Sequence, residues 1–194
     1  MMNTFDQIKT KAKLDKIPSM TQDGLFYCEH LILSQSITSI LEIGTGYGIW
    51  SISMALLNKD IHITSIELLE KRAKISQSNI QMMALQDQIT VENSDALSYT
   101  PTKLYDFIFI DGPKSQNKAL FLKYLPYLNP NGYILVDNID FHGETKTERS
   151  DQSRDLKQMV RKINDFKTWI LNESDLNVID LEIGDGLILI SRKY

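Results

Sequence analysis

Short apolar runs rich in β-branched residues, at about 39–43 (SILEI), 62–67 (HITSIE), 88–92 (QITVE), 106–111 (DFIFID) and 132–137 (GYILVD), alternate along the middle of the chain with stretches of helical composition at about 50–58, 70–84 and 115–125. Strands that follow one another through helices pair in parallel, because a parallel crossover needs a long connection, and the helices then cover both faces of the sheet. The runs are nearly continuous rather than alternating, as strands buried on both faces require. The last third changes character. "RDLKQMVRKINDFKTWIL" puts Met159, Ile163, Phe166 and Ile170 at helical spacing, and strands at about 176–183 and 186–192 follow, joined through the tight-turn sequence Gly184-Asp185-Gly186. The expectation is an α/β fold: a seven-stranded, mostly parallel sheet closed by a C-terminal antiparallel hairpin, with helices on both faces.

A length of 194 residues fits one domain, 1–194, whose lysine-rich start, 1–20, reads as an arm or a short helix. From Gln22 to Leu33 the residues Leu25, Phe26, Leu31 and Ile32 share a helical face. With 21 Lys+Arg against 25 Asp+Glu the formal net charge is −4, which argues against coating nucleic acid by bulk electrostatics and leaves room for a local basic face. The one cysteine, Cys28, can form no internal disulfide and no thiolate zinc site. The start has no apolar run of signal-peptide length, and no stretch of spanning length occurs, so a cytoplasmic protein without membrane association is expected.

"LEIGTGYGIW" places Gly44, Gly46 and Gly48 directly after a strand and before a helix, where glycine lets the backbone turn sharply and approach a ligand. A glycine turn needed only for packing is the plainer account. A dinucleotide fingerprint would need glycine at position 49, which is Ile49. Glu42 precedes the loop and Glu67 closes the second strand, the place from which an acid accepts hydrogen bonds from ribose hydroxyls in doubly wound sheets. Asp95, past the third strand, is placed to reach a base ring. Each acid alone reads equally as a solvated strand-end charge; together they favour a nucleoside pocket.

Asp111 is expected to end the fourth strand, and Asp137 with Asn138 the fifth. Parallel strands present their carboxyl ends along one edge, and ligands bind outside that edge. Two carboxylates and an amide carbonyl, without His or Cys, form a hard oxygen set suited to Mg²⁺. A simple turn cap is the alternative for Asp137-Asn138. Lys114 lies beyond a Gly-Pro turn that points the chain back over these groups. A surface lysine is the ordinary reading, but a divalent cation nearby disfavours an ammonium and so suits a general base.

The ordered motifs "LEIGTGYG", "SIE", "SDAL", "FIDGPK" and "VDN" resemble those of class I S-adenosylmethionine-dependent methyltransferases, with a Rossmann-like fold, and more narrowly the metal-dependent O-methyltransferases that include catechol and caffeoyl-coenzyme A O-methyltransferases. The resemblance runs from about Ile17 to the end. It implies S-adenosylmethionine bordered by Met20, Glu42, Gly44, Gly48, Trp50, Glu67, Asp95 and Asp111, with Glu67 on the ribose and Asp95 near the adenine. It implies Mg²⁺ or Mn²⁺ at Asp111, Asp137 and Asn138, and Lys114 as the catalytic base. Trp50 stands where the family usually has a small serine, and Asn117 where an aromatic is frequent.

The tail from "VRKINDF" onward and the "IPSM" entry look most like bacterial tRNA 5-hydroxyuridine methyltransferases, which implies methylation of a wobble-position uridine and a tRNA anticodon loop as partner. A small catechol-like or phenolic acceptor is the competing expectation. Arg154, Lys157 and Arg161 fall on one side of the last helix, opposite its apolar stripe, and suit phosphate contacts as well as a merely solvated face, since Asp151, Asp155 and Asp165 lie nearby. The resemblance also implies a homodimer. A nucleoside-binding domain without catalysis and a nicotinamide oxidoreductase are the readings from other classes.

Overall fold

The computed structural model describes residues 3–139 and 153–193. The chain divides into two compact units, Met1–Thr102 and Lys103–Tyr194. Their strands form a seven-stranded sheet in the order β3 (Ile89–Asn93), β2 (His62–Glu67), β1 (Ser39–Ile43), β4 (Tyr105–Ile110), β5 (Leu128–Asp137), β7 (Leu187–Arg192), β6 (Leu176–Leu181).

The first unit begins with two helices, α1 (Thr4–Leu14) and α2 (Gln22–Ser34). The lysine-rich start is therefore helical for most of its length. Asn3 caps α1 by accepting the Asp6 N–H at 2.8 Å, which satisfies one of the donors that the first turn leaves unpaired. Thr21 caps α2 in the same way. Ile8, Ala12, Cys28 and Ile32 are buried. Three parallel strands follow: β1 (Ser39–Ile43), β2 (His62–Glu67) and β3 (Ile89–Asn93), connected through α3 (Ile49–Ala55) and α4 (Glu70–Met82). Register pairs Ile43 with Ile66 and Glu67 with Asn93, so the strand ends fall in line.

The second unit pairs β4 (Tyr105–Ile110) in parallel with β5 (Leu128–Asp137), and β7 (Leu187–Arg192) lies antiparallel between β5 and β6 (Leu176–Leu181). Every residue of β4 but Asp106 is buried, as its unbroken apolar run requires. Between these strands lie α5 (Asn117–Tyr124) and α6 (Arg154–Leu171). Helix α6 buries Ile163, Phe166 and Ile170, and the rings of Phe166 and Trp169 pack on Phe121 of α5 at 6.4 and 5.8 Å between centroids.

Several details differ from the sequence expectation: β5 begins at Leu128 rather than near residue 132, and β3, expected to be buried on both faces, buries only Ile89 because it lies at the sheet edge. Strand β4 stops at Ile110, so Asp111 is the first residue beyond it. After Pro113 a 3₁₀ turn (Lys114–Gln116) precedes α5, so the α-helix starts later than the expected 115. The β6–β7 connection spans residues 182–186, wider than a two-residue turn; Gly184 and Gly186 take φ of 57° and 82°, and the Gly186 N–H donates to the Ile183 carbonyl at 2.9 Å. Among the described residues, no helix is long and apolar enough to cross a membrane.

Candidate active site

The glycine loop at the end of β1 is built for a left-handed backbone. Gly44, Gly46 and Gly48 have φ of 101°, 56° and 79°, values that a side chain penalises. A Cβ on Gly46 would lie 3.3 Å from Ile17, so the segment after α1 closes over this loop. Backbone donors tie the loop down: the Gly44 N–H donates to Ile66 and the Gly46 N–H to the Glu67 carboxylate, each at 2.9 Å. Glu67 also accepts the Leu69 N–H at 2.9 Å, so backbone amides hold its carboxylate at the end of β2 with acceptor capacity to spare.

Glu42 lies beneath the loop. It is buried and accepts from the hydroxyls of Ser51 on α3 and Ser65 on β2, while Ser65 and Thr45 share a hydrogen bond of 2.6 Å. Its carboxylate thereby joins strand, loop and helix. Trp50 is buried in the first turn of α3. Met20 packs on the first turn of α2, with its Sδ 3.7 Å from Cys28 Sγ. Asp95 is exposed past β3, where its Oδ1 accepts the Leu97 N–H at 2.9 Å.

Tyr47 and Asp15 escaped the sequence reading. The Tyr47 hydroxyl donates to Asp15 Oδ2 at 2.8 Å, and the Tyr47 carbonyl accepts from Asn79 Nδ2 at 2.9 Å. That hydrogen bond holds the Asp15 carboxyl below the usual carboxylate range, and Asp15 raises the Tyr47 phenol. No local pattern signals a contact between residues so far apart in the chain.

In the second unit, the structure brings together the polar residues at the ends of β4 and β5. Lys114 Nζ pairs with Asp111 Oδ1 at 2.7 Å, and Asn138 Nδ2 approaches the same oxygen at 3.5 Å. Asn138 has a φ of 59°, a conformation that asparagine tolerates better than most residues, and its N–H donates to Asp137 Oδ1 at 2.7 Å. Asp137 is buried, which pushes its carboxyl up to about 7, with the Asp111 charge adding to the shift. Two carboxylates crowded at a buried strand end, with an amide beside them, are the donor chemistry of a hard divalent cation, whose charge would relieve the repulsion.

A family model described as O-methyltransferase matches residues 1–193. The chain belongs to the O-methyltransferase family. This O-methyltransferase is 28% identical over 162 residues to a caffeoyl-CoA O-methyltransferase of Populus kitakamiensis, over 78% of this chain and 68% of the relative. A crystal structure from Staphylococcus aureus, named for a caffeoyl-CoA O-methyltransferase, superposes with a TM-score of 0.93 at 29% identity, covering 99% of this chain and 93% of that chain. The Bacillus cereus O-methyltransferase solved in complex with SAH superposes with a TM-score of 0.83 at 26% identity, covering 100% of this chain and 92% of that one. The Rossmann-like methyltransferase fold and S-adenosylmethionine as methyl donor follow for this O-methyltransferase.

Proposed function

We propose that this O-methyltransferase depends on a divalent cation, Mg²⁺ or Mn²⁺, held by Asp111, Asp137 and Asn138, and that it methylates the 5-hydroxyl of 5-hydroxyuridine at the tRNA wobble position to give 5-methoxyuridine. The observation that carries the chemistry is the cluster at the ends of β4 and β5, where Lys114 sits 2.7 Å from Asp111 and Asp137 holds its proton up to about 7. A cation held by these residues would supply Lewis acidity toward the acceptor oxygens. Bound S-adenosylmethionine supplies the electrophilic methyl.

The protein's own residues do the rest. Lys114, acting as the free amine once a cation has taken over the Asp111 carboxylate, would accept the proton of the acceptor hydroxyl, and the freed oxygen would take the methyl in line as S-adenosylhomocysteine leaves. Glu67, its carboxylate pinned by the Gly46 and Leu69 amides, accepts the donor's ribose hydroxyls. Glu42, held between Ser51 and Ser65, supports the glycine loop around the methionine part of the donor.

For the acceptor, the support is the likeness of the "IPSM" entry and the C-terminal tail to tRNA 5-hydroxyuridine methyltransferases, together with the exposed Arg154, Lys157 and Arg161 on α6. A 5-hydroxyuridine carries neighbouring oxygens at C4 and C5, and an anticodon base is already unpaired and enters a pocket at small unstacking cost. A small catechol-like acceptor is the second reading, favoured by the caffeoyl-CoA relatives, whose named substrate has adjacent ring hydroxyls. Methyl transfer to hydroxylated tRNA, measured beside transfer to catechol, decides between them. A strong preference for tRNA is expected, together with accumulation of 5-hydroxyuridine in cells lacking the gene; preference for catechol overturns the tRNA assignment.

A further inference from the structure

The first residue of α5, Asn117, is 1% exposed, and among the described residues neither its Nδ2 nor its Oδ1 has a hydrogen-bond partner. A buried amide left in this state is unusual, because desolvating both of its polar groups opposes folding unless something satisfies them. Asn79, a buried amide in the first unit, illustrates the usual outcome by donating to the Tyr47 carbonyl at 2.9 Å.

Its position relates it to the chemistry. The Asn117 N–H donates to the Lys114 carbonyl across the 3₁₀ turn Lys114–Gln116. In a 3₁₀ turn the side chains at i and i+3 eclipse each other, so Lys114 and Asn117 share one face of the turn, continuous with the buried stripe of α5 at Leu120, Phe121 and Tyr124. The unsatisfied amide thus sits one turn from the candidate base. An amide there offers two N–H donors and a carbonyl acceptor.

We infer that Asn117 is a specificity-determining residue that reads the acceptor, its amide N–H and carbonyl pairing with a complementary edge in which a carbonyl adjoins an N–H. A uracil ring offers that edge at O4 or O2 beside N3–H, and a catechol does not. The inference rests on the proposed 5-hydroxyuridine substrate and adds the residue that tells it from a phenol. A site built to hydrogen-bond a substrate group discriminates strongly, because analogues that lack the group leave the site's own polar atoms unpaired.

The experiment compares the full-length protein with Asn117→Ala and Asn117→Asp, using an anticodon stem-loop that carries 5-hydroxyuridine and, separately, catechol. The Asp variant keeps the side-chain shape and loses the N–H donors. For both variants the ratio of kcat/KM on the stem-loop to kcat/KM on catechol is expected to fall about tenfold or more, chiefly through KM on the stem-loop. The unfolding midpoint of Asn117→Ala is expected to stay level or rise, since a polar group unpaired in the free enzyme has gone. Equal losses on both acceptors, or none, assign the amide to a buried water and overturn the inference while the substrate stands. A wild-type enzyme that methylates catechol and ignores the stem-loop overturns the substrate and the inference together.

Discussion

A carboxyl buried as Asp137 is, with Asp111 for a neighbour, keeps its proton up to about 7, and any divalent cation it ligates must displace that proton. Cation affinity therefore falls as pH drops below about 7 and levels off above it. Calorimetry with Mg²⁺ is expected to show proton release on binding, and an affinity weaker by roughly tenfold per pH unit on the acid side. The same shift has a second consequence. Between the ordinary carboxylate range and about 7 the folded state binds more protons than the unfolded one, so cation-free stability falls as pH rises through that window. Asp137→Asn is expected to remove that slope in thermal melts while abolishing activity. Lys114→Ala is expected to lower kcat by about 10²- to 10⁴-fold, the usual contribution of a positioned general base, and to leave the affinity for SAH nearly unchanged. EDTA is expected to silence the wild type, and Mg²⁺ to restore it; activity that survives chelation removes the cation from the reaction.

The central strands were legible in the sequence because β1 and β4 are buried almost throughout and read as continuous apolar runs, SILEI and YDFIFI, whereas β3 and β6 are only partly buried and carry a weaker signal. The bounds of β1 and β2 match the sequence reading, and the left-handed glycines confirm that "GTGYG" is a loop that side chains would strain. What stayed hidden was whatever depends on contacts between distant residues: the Ser51 and Ser65 hydroxyls on Glu42, the Asp15–Tyr47 hydrogen bond, and the orphaned Asn117 amide. The Asp15–Tyr47 contact ties the end of α1 to the glycine loop, and Ile17 lies against Gly46 in the same closure. Tyr47→Phe is therefore expected to lower the unfolding midpoint and to raise KM for S-adenosylmethionine more than it changes kcat. The pH dependence has a definite sign. Asp15 is shifted down, so its contribution is present above the ordinary carboxylate range and is lost as pH falls through its lowered value; Tyr47 is shifted up, so its part is lost as pH rises through its raised value. The gap between wild type and Tyr47→Phe should close at both extremes, and a gap constant across pH would show that the hydroxyl acts through packing alone.

The molecule as a whole carries a formal charge of −4, so its net field repels RNA, and attraction must come from a local arrangement of cations. Arg154, Lys157 and Arg161 are exposed on α6, with Asp165 3.9 Å from Arg161 to temper the charge. Phosphate contacts of this kind release counterions, so the logarithm of the binding constant falls with the logarithm of salt concentration, by somewhat less than one for each phosphate neutralised. A shallow dependence is expected for the wild type, because few cations are available and acids stand among them. Arg154→Ala combined with Arg161→Ala is expected to reduce the slope by about one to two and to weaken binding evenly across tRNAs, because phosphate contacts carry no sequence information. Base discrimination should persist in that variant, since it belongs to the strand-end site. If the slope does not change, the α6 cations are a solvated face, and the proposed tRNA acceptor loses their support.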